Sequence, residues 1–169
     1  MFRPNTGPVS GVQEQLVQVT SDNLNISATS DNWFIHSGSG NDAITVHGGT
    51  NVLDGGTGSN FLTGGTGQDT FFVDARGASG DVWDTINKFH AGDAVTLWGV
   101  TPQDYTLSWQ DHQGAPGYTG LTLHATAPGK PSASLTLVGY SSADLTNGRL
   151  SVSSGTVDGN AYTYIHGNS

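Results

Sequence analysis

Asp and Asn side chains recur in short Gly-rich segments through the first half of this sequence. Of its 14 acidic residues Glu14 is the only glutamate, and most of the aspartates stand beside Gly, Asn or Thr. Asp in such settings suits turns and the ligation of hard cations better than it suits helix surfaces, because these cations prefer oxygen ligands. Four Asp or Asn positions follow one another at nine-residue intervals, namely Asp42, Asn51, Asn60 and Asp69.

An apolar residue also recurs every nine residues, which predicts how these candidates are positioned. The series runs Val17, Ile26, Ile35, Ile44, Leu53, Leu62 and Phe71. The candidate residues precede it by two positions, and Gly precedes most of them by two more. Gly supplies a positive φ in a turn at no steric cost. Each repeat therefore predicts a turn plus a short strand, and the chain is expected to be all-β, a solenoid with a coil of about 18 residues per two repeats.

Three segments resemble one known repeat. GSGNDAI at residues 38–44, GGTGSNFL at 55–62 and GGTGQDTF at 64–71 resemble the RTX repeat of hemolysin-type proteins, Gly-Gly-x-Gly-x-Asp-x-hydrophobic-x. DTINKFHAGDAVTL at residues 84–97 is similar to the stretch that follows such repeats in type I secreted proteins, with Lys88 and Thr96 where that stretch has Asp. The resemblance covers roughly residues 20 to 100 and recurs in one register, which makes it specific.

This resemblance implies a parallel β-roll whose turns bind Ca²⁺ between coils, through Asp carboxylates and backbone carbonyls. Ca²⁺ takes about 6 to 8 oxygen ligands, and Gly-rich turns let carbonyls converge on it. Neighbouring coils would oppose Asp42 to Asn60 and Asn51 to Asp69, so each site has one carboxylate, and we expect Kd values of roughly 10⁻⁴ to 10⁻³ M. The expected metal-binding residues are Asp42, Asn60, Asn51, Asp69, Gly38, Gly40, Gly56, Gly58, Gly65, Gly67, Asp84 and Asp93.

Alternatives stay open at these positions. Asn51 and Asn60 could instead form hydrogen-bonded turns or ladders with no metal between them. Where the repeats end, a second acidic zone is either a further metal site or a set of turn caps; it consists of Asp74, Asp81, Asp84 and Asp93.

After the repeats, the pattern changes to alternating strands separated by turn residues. Strands are predicted at residues 105–109, 121–124, 134–138, 150–152 and 162–165, and we expect them to fold back on the last coil as an antiparallel β cap. The predicted organisation is an N-terminal leader or short cap at 1–16, an RTX-like roll at 17–74, a roll-closing segment at 75–101 and a C-terminal β cap at 102–169. Val12, Leu16 and Val19 could supply one covering strand at the amino end.

Composition excludes several function classes. A net charge of −9 disfavours nucleic acid, and the absence of Cys excludes disulfides and thiolate chemistry. A single Glu removes any paired-Glu glycosidase site, and no nucleophile elbow, zinc-protease helix or phosphate-binding loop is present, so we predict a non-enzymatic protein. His36 and His47 do not share a turn position, which argues against a zinc pair. The sequence shows neither a membrane-spanning apolar stretch nor an N-terminal signal pattern.

The sequence therefore predicts an extracellular, calcium-binding RTX-like module. The resemblance implies export by a type I secretion transporter through a carboxy-terminal address, followed by calcium-coupled folding outside the cell. One alternative is a surface, matrix or filament protein that stacks through its solenoid ends. Another is a carbohydrate-binding or adhesin module, in which a set of aromatic residues either stacks on sugar or packs in the core: Trp98, Trp109, Tyr105, Tyr118 and Tyr140.

Overall fold

A computed structural model describes residues 14–169, which form a nearly all-β protein with two mixed sheets. The predicted leader at 1–16, including Val12, lies mostly outside the described residues. The elements of the repeats and of the closing segment are β1 (Glu14–Val17), β2 (Asn25–Ala28), β3 (Trp33–His36), β4 (Ala43–Val46), β5 (Asn51–Asp54), β6 (Phe61–Thr63), β7 (Asp69–Asp74), β8 (Val82–Asn87) and β9 (Ala94–Trp98). They are followed by β10 (Thr106–Gln113), β11 (Gly120–Thr126), β12 (Ala133–Val138), α1 (Ala143–Thr146), β13 (Leu150–Val157) and β14 (Asn160–Gly167).

Successive strands of the first half alternate between the two sheets. The first sheet has the order β1-β3-β5-β7-β9-β14-β13, and the second has the order β10-β11-β12-β8-β6-β4-β2. Strands β1 to β9 pair in parallel within each sheet, as when Ile35 lies beside Leu53 and Ile44 beside Leu62. The long segment between β7 and β8 then lengthens the step, so that Phe61 pairs with Thr85. This alternation follows from repeats of one turn and one strand each.

The apolar ladder forms the core between the sheets. Side chains of the series from Ile35 to Phe71 are fully buried, and Ile26 packs against the same cluster. The prediction that Val17 belongs to the buried series is wrong. Leu16 is the residue that pairs with Ile35, and Val17 is 37% exposed. The link from β1 to β3 is one residue longer than the repeat, and a one-residue shift turns a strand side chain to the opposite face.

The carboxy-terminal strands extend both sheets. Each of the five strands predicted after residue 100 overlaps a strand from β10 to β14. Strand β12 lies parallel to β8, and β11 and β10 follow it in antiparallel order. Strand β14 lies antiparallel to β9 and pairs with β13. The edges that β8 and β9 would otherwise expose are therefore covered. No helix among residues 14–169 is long and apolar enough to cross a membrane.

The second sheet has an outer face, turned away from the core, whose two central rows run across neighbouring strands. Core residues such as Ile44, Leu62 and Ile86 alternate with the residues of these rows, which places the rows on the opposite side. One row is Asn25, Ala43, Phe61, Thr85, Thr136, Thr122 and Gln110. The other is Trp83, Ser134, His124 and Ser108.

Candidate functional site

The predicted ligand side chains form two buried stacks, one beside the strands of each sheet. We call Asp42, Asn60 and Asp84 the first column, and Asn51, Asp69 and Asp93 the second column. Every member of both columns has at most 2% of its surface exposed. Each lies at or near the start of a strand.

In the first column, each side chain accepts a hydrogen bond from a backbone N–H that lies 18 or 24 residues earlier in the chain. Asp42 Oδ1 accepts from Leu24 N at 2.8 Å, Asn60 Oδ1 from Asp42 N at 2.9 Å, and Asp84 Oδ1 from Asn60 N at 2.9 Å. Within the described residues, Asp42 Oδ2, Asn60 Nδ2 and Asp84 Oδ2 are buried with no hydrogen-bond partner. Buried polar atoms in this condition are costly, and buried charges more so. This column therefore holds two carboxylate oxygens that are free to take a further partner.

The second column is fully hydrogen-bonded. Asn51 Oδ1 accepts from Trp33 N at 2.9 Å, and Asn51 Nδ2 donates to Asp69 Oδ1 at 2.8 Å. Asp69 Oδ2 accepts from Gly65 N at 2.7 Å, while Asp93 Oδ1 accepts from Asp69 N at 2.8 Å. His90 N donates to the remaining Asp93 oxygen at 3.0 Å. Each carboxylate oxygen of this column already accepts a hydrogen bond.

Burial changes the ionisation of three of these aspartates. Burial raises the pKa of Asp84 to about 8, although the hydrogen bond from Asn60 N and the nearby Asn60 side-chain amide, which is beyond hydrogen-bond geometry, oppose the shift. Burial also raises the pKa of Asp93 to about 6 and the pKa of Asp69 above its ordinary value. In each case desolvation of the carboxylate outweighs the hydrogen bonds that favour the charged form. Binding of a proton or a cation to Asp84 therefore removes the free-energy cost of burying its ionised carboxylate, a cost that the surrounding hydrogen bonds do not offset.

The predicted glycines have a steric role in the stacking of turns. A Cβ atom on Gly56 would overlap Gly38 O, one on Gly58 would overlap Gly40 O, and one on Gly67 would overlap Gly49 O. Gly56 and Gly58 also have positive φ, at 68° and 103°. The turn carbonyls therefore lie against the next coil, and close contact between coils, as well as any ligand role, requires Gly here.

Further members of the predicted set lie near the same stacks. Gly38 sits against Thr20 O, and Gly65 sits against the His47 carbonyl, so both also mark close approaches between coils. The acidic zone at the end of the repeats is divided rather than clustered. Asp74 pairs with Arg76 at 2.8 Å, and Asp81 accepts from Ser132 N at 2.7 Å, away from the buried columns.

Other residues singled out in the sequence are also dispersed. His36 Nδ1 lies 2.9 Å from Asp54 Oδ2, whereas His47 Nδ1 lies 2.8 Å from Ala28 O, so the two imidazoles belong to different sheets. Of the predicted sugar-stacking aromatics, Trp98 is buried at 2% exposure, and Tyr118 is 42% exposed. The remaining three pack against the core and do not form a platform with Tyr118: Trp109, Tyr105 and Tyr140.

The two columns differ in how well their oxygen atoms would serve as ligands for a cation. Among residues 14–169, no three His, Asp or Glu side chains come together as a metal-binding group. The second column has no carboxylate oxygen without a hydrogen bond, so it fits Ca²⁺ poorly. The first column has the unpartnered oxygens of Asp42 and Asp84, which are ligands of the type that Ca²⁺ takes. Sequence spacing alone did not assign Asp84 and Asp93 to the columns, because both follow a step of 24 residues rather than 18.

Comparison with known proteins adds no family. No protein-family model matches the chain, and no curated protein matches it. Inferences about function therefore rest on the repeat residues and on the geometry described above.

Proposed function

We propose that this protein is an extracellular β-roll module, similar to RTX repeats, that binds Ca²⁺ and completes its folding outside the cell after type I export. Parallel pairing of strands at 18-residue intervals and the stacked Gly turns support the solenoid part of this proposal. Export and calcium dependence rest on the repeat motif and on the buried acidic side chains.

One observation carries the proposal: buried carboxylate oxygens in the first column have no partner. Asp42 Oδ2 and Asp84 Oδ2 are enclosed between coils, where an ionised carboxylate loses its hydration. Burial raises the pKa of Asp84 to about 8 because the ionised carboxylate loses its hydration there. When bound, Ca²⁺ would supply the positive charge that allows these groups to stay ionised. The folded state would then be favoured where calcium is abundant.

The residues of the chain itself explain why folding would wait for export. With 14 acidic against 5 basic residues, the chain repels itself while its turns are open. Stacking the turns brings Asp42 and Asp84 out of water, which opposes coil formation when no cation is present. An unfolded chain of this kind is suited to threading through a transporter. A calcium-poor cytosol would keep it in that state.

The test is a calcium titration of EDTA-stripped protein, followed by far-UV circular dichroism and by calorimetry. We expect β structure and thermal stability to rise with millimolar Ca²⁺ and much less with equal Mg²⁺. Asp84→Asn keeps the Oδ1 acceptor but removes the charge, so it should weaken calcium binding about tenfold or more. Asp158→Asn is the matched control, because Asp158 is an exposed turn residue with φ 49° that Asn tolerates. Full folding with no calcium bound would contradict the proposal.

Self-assembly is a second candidate function, favoured by the amino-terminal edge. In the described part of the chain, β1 and β2 are terminal strands of the two sheets. Val17 and Val19 beside that edge are 37% and 72% exposed. Unpaired strand edges with apolar side chains favour addition of another chain. Size-exclusion chromatography and electron microscopy at high protein concentration, with calcium, would show fibres or larger species if this contact forms, and a monomer would refute it.

A further inference from the structure

The outer face of the second sheet carries no formal charge in its two central rows. Asn, Gln, Ser, Thr, Ala and His surround two aromatic rings there, and none of the row residues is Asp, Glu, Lys or Arg. The protein as a whole has a net charge of −9. The absence of formal charge from these two rows favours a partner that is itself uncharged and rich in hydrogen-bonding groups.

Aromatic rings at the centre of this face are held in place and still open to solvent. Trp83 is 39% exposed, and its indole N–H donates to Thr136 Oγ1 at 2.8 Å. The rings of His124 and Trp83 are perpendicular, with 5.1 Å between their centroids. Tyr118 is 42% exposed and meets Phe61 edge-on at 4.8 Å. Rings fixed by neighbours lose little conformational entropy when a ligand stacks on them.

A groove of about 470 Å³ lies next to these rings, and Asn side chains line it with Phe61 and Trp83. Asp42 and Asn60 of the first column also line it, each at 2% exposure. Asn23 Oδ1 accepts from Asn41 N at 2.8 Å, and Asn41 Oδ1 accepts from Ser59 N at 2.8 Å. These bonds fix both amides, whose NH₂ groups donate to no described residue. The groove therefore presents oriented hydrogen-bond donors beside an aromatic surface.

We propose that this face binds a neutral oligosaccharide, with Trp83 and Tyr118 stacking on sugar rings and Asn23 and Asn41 donating to hydroxyl oxygens. A sugar ring has an apolar face for an aromatic side chain and a rim of hydroxyl groups for amides. The net charge of −9 opposes an anionic polysaccharide, and no cation in the two rows compensates for it. The groove touches the first column at Asp42 and Asn60, so sugar binding is measured both in EDTA and in saturating Ca²⁺ to separate this inference from calcium binding.

Isothermal calorimetry with cellohexaose, maltohexaose and chitohexaose, and with polygalacturonate as the anionic comparison, tests the proposal. We expect at least one neutral hexasaccharide to bind and polygalacturonate not to bind. Trp83→Ala should weaken binding roughly tenfold, and Trp83→Phe should retain part of it. Val152→Ala is the control, because Val152 is 42% exposed on the first sheet, and its affinity should equal that of the unchanged protein.

Further variants keep the proposal open to refutation. If circular dichroism shows that Trp83→Ala does not fold, Tyr118→Ala gives the same test, because Tyr118 is an exposed aromatic residue in a loop. No binding of any neutral hexasaccharide at millimolar concentration would overturn the proposal, as would binding that neither aromatic substitution changes. A dimer in size-exclusion chromatography that Trp83→Ala converts to monomer would assign the face to a second copy of the chain instead, and would also overturn it.

Discussion

The first and second columns have the same composition, two Asp and one Asn each, but their electrostatic states differ. In the second column, Asn51 Nδ2 donates to Asp69 and to Gly48 O, so each polar atom of the stack has a partner. In the first column, Asn60 Nδ2 has no such bond, and two carboxylate oxygens are also without partners. Two stacks built from one repeat can thus differ in whether hydrogen bonds alone stabilise them.

This difference shows that a repeat motif does not by itself define a metal site. A column whose oxygens all accept hydrogen bonds gains little from a cation, since the cation must displace those donors. A column with unpartnered buried carboxylates gains much more. We therefore expect Asp84, in the first column, to dominate the response to protons between pH 6 and 8, and the first column to dominate the response to cations.

The largest expected effect is a loss of stability with rising pH in metal-free protein. Burial raises the pKa of Asp84 to about 8 and that of Asp93 to about 6, so the folded state retains protons that the unfolded state releases. Stability is greatest near pH 4 and falls as pH rises, by up to about 1.4 kcal/mol per pH unit for each group until its folded pKa is passed. Urea unfolding at pH 5, 6.5 and 8 measures this.

Two variants separate the first column from other carboxylates in the same experiment. Asp84→Asn should flatten the slope between pH 6 and 8, because it removes the group that titrates there, whereas Asp158→Asn should leave the slope unchanged. Saturating Ca²⁺ should also flatten it for the unchanged protein if the cation replaces the proton. A slope that is the same with and without Asp84 would show that this carboxyl is ionised at no cost.

A second prediction compares loss of a carboxylate from each column. Asp69→Ala leaves Gly65 N without an acceptor and takes one of two acceptors from Asn51 Nδ2, which keeps Gly48 O, and should cost about 2–3 kcal/mol. Asp42→Ala leaves only Leu24 N and removes an unpartnered oxygen, so it should cost about 1 kcal/mol. Chemical denaturation of EDTA-treated protein at pH 6.5 gives both values. Equal costs would mean that the two columns are hydrogen-bonded alike.

A third prediction adds a carboxylate to each column in turn. Asn60→Asp removes an amide nitrogen with no partner, so in metal-free protein at pH 8 it should destabilise by about 2 kcal/mol through charge repulsion and should tighten calcium binding. Asn51→Asp breaks bonds to Gly48 O and Asp69, so it should cost more and should not be restored to full stability by calcium. Thermal melts with and without Ca²⁺ distinguish the two, and restoration of both alike would contradict the comparison.

The smallest expected effect concerns the exposed Asn ladder outside the columns. Asn41 Oδ1 accepts from Ser59 N at the surface, where water can replace the lost acceptor. Asn41→Ala should therefore cost about 0.5–1 kcal/mol, less than either substitution of a second-column residue. A cost similar to that of Asp69→Ala in the same denaturation assay would mean that solvent does not reach this turn.

Much of the architecture was predictable from local pattern. The buried series from Ile35 to Phe71 follows the nine-residue period, and the strands after residue 100 follow turn punctuation. The prediction was wrong at Val17, because periodicity cannot detect the extra residue between β1 and β3. The acidic zone is divided in the structure: Asp74 pairs with its near neighbour Arg76, and Asp81 accepts from Ser132 N, a contact across 51 residues that no local pattern encodes.

The sequence by itself determined an acidic, Cys-free, all-β chain with a repeated turn, because residue type and period are local properties. It also required Gly wherever coils stack most closely, although the reason is visible only when Gly56 and Gly58 meet the carbonyls of the preceding coil. The tertiary structure alone decided which carboxylates have partners, since Asp84 enters its column by a step of 24 residues that no nine-residue period encodes. It also decided that Trp83 would lie on an uncharged face, because that face is assembled from strands distant in sequence.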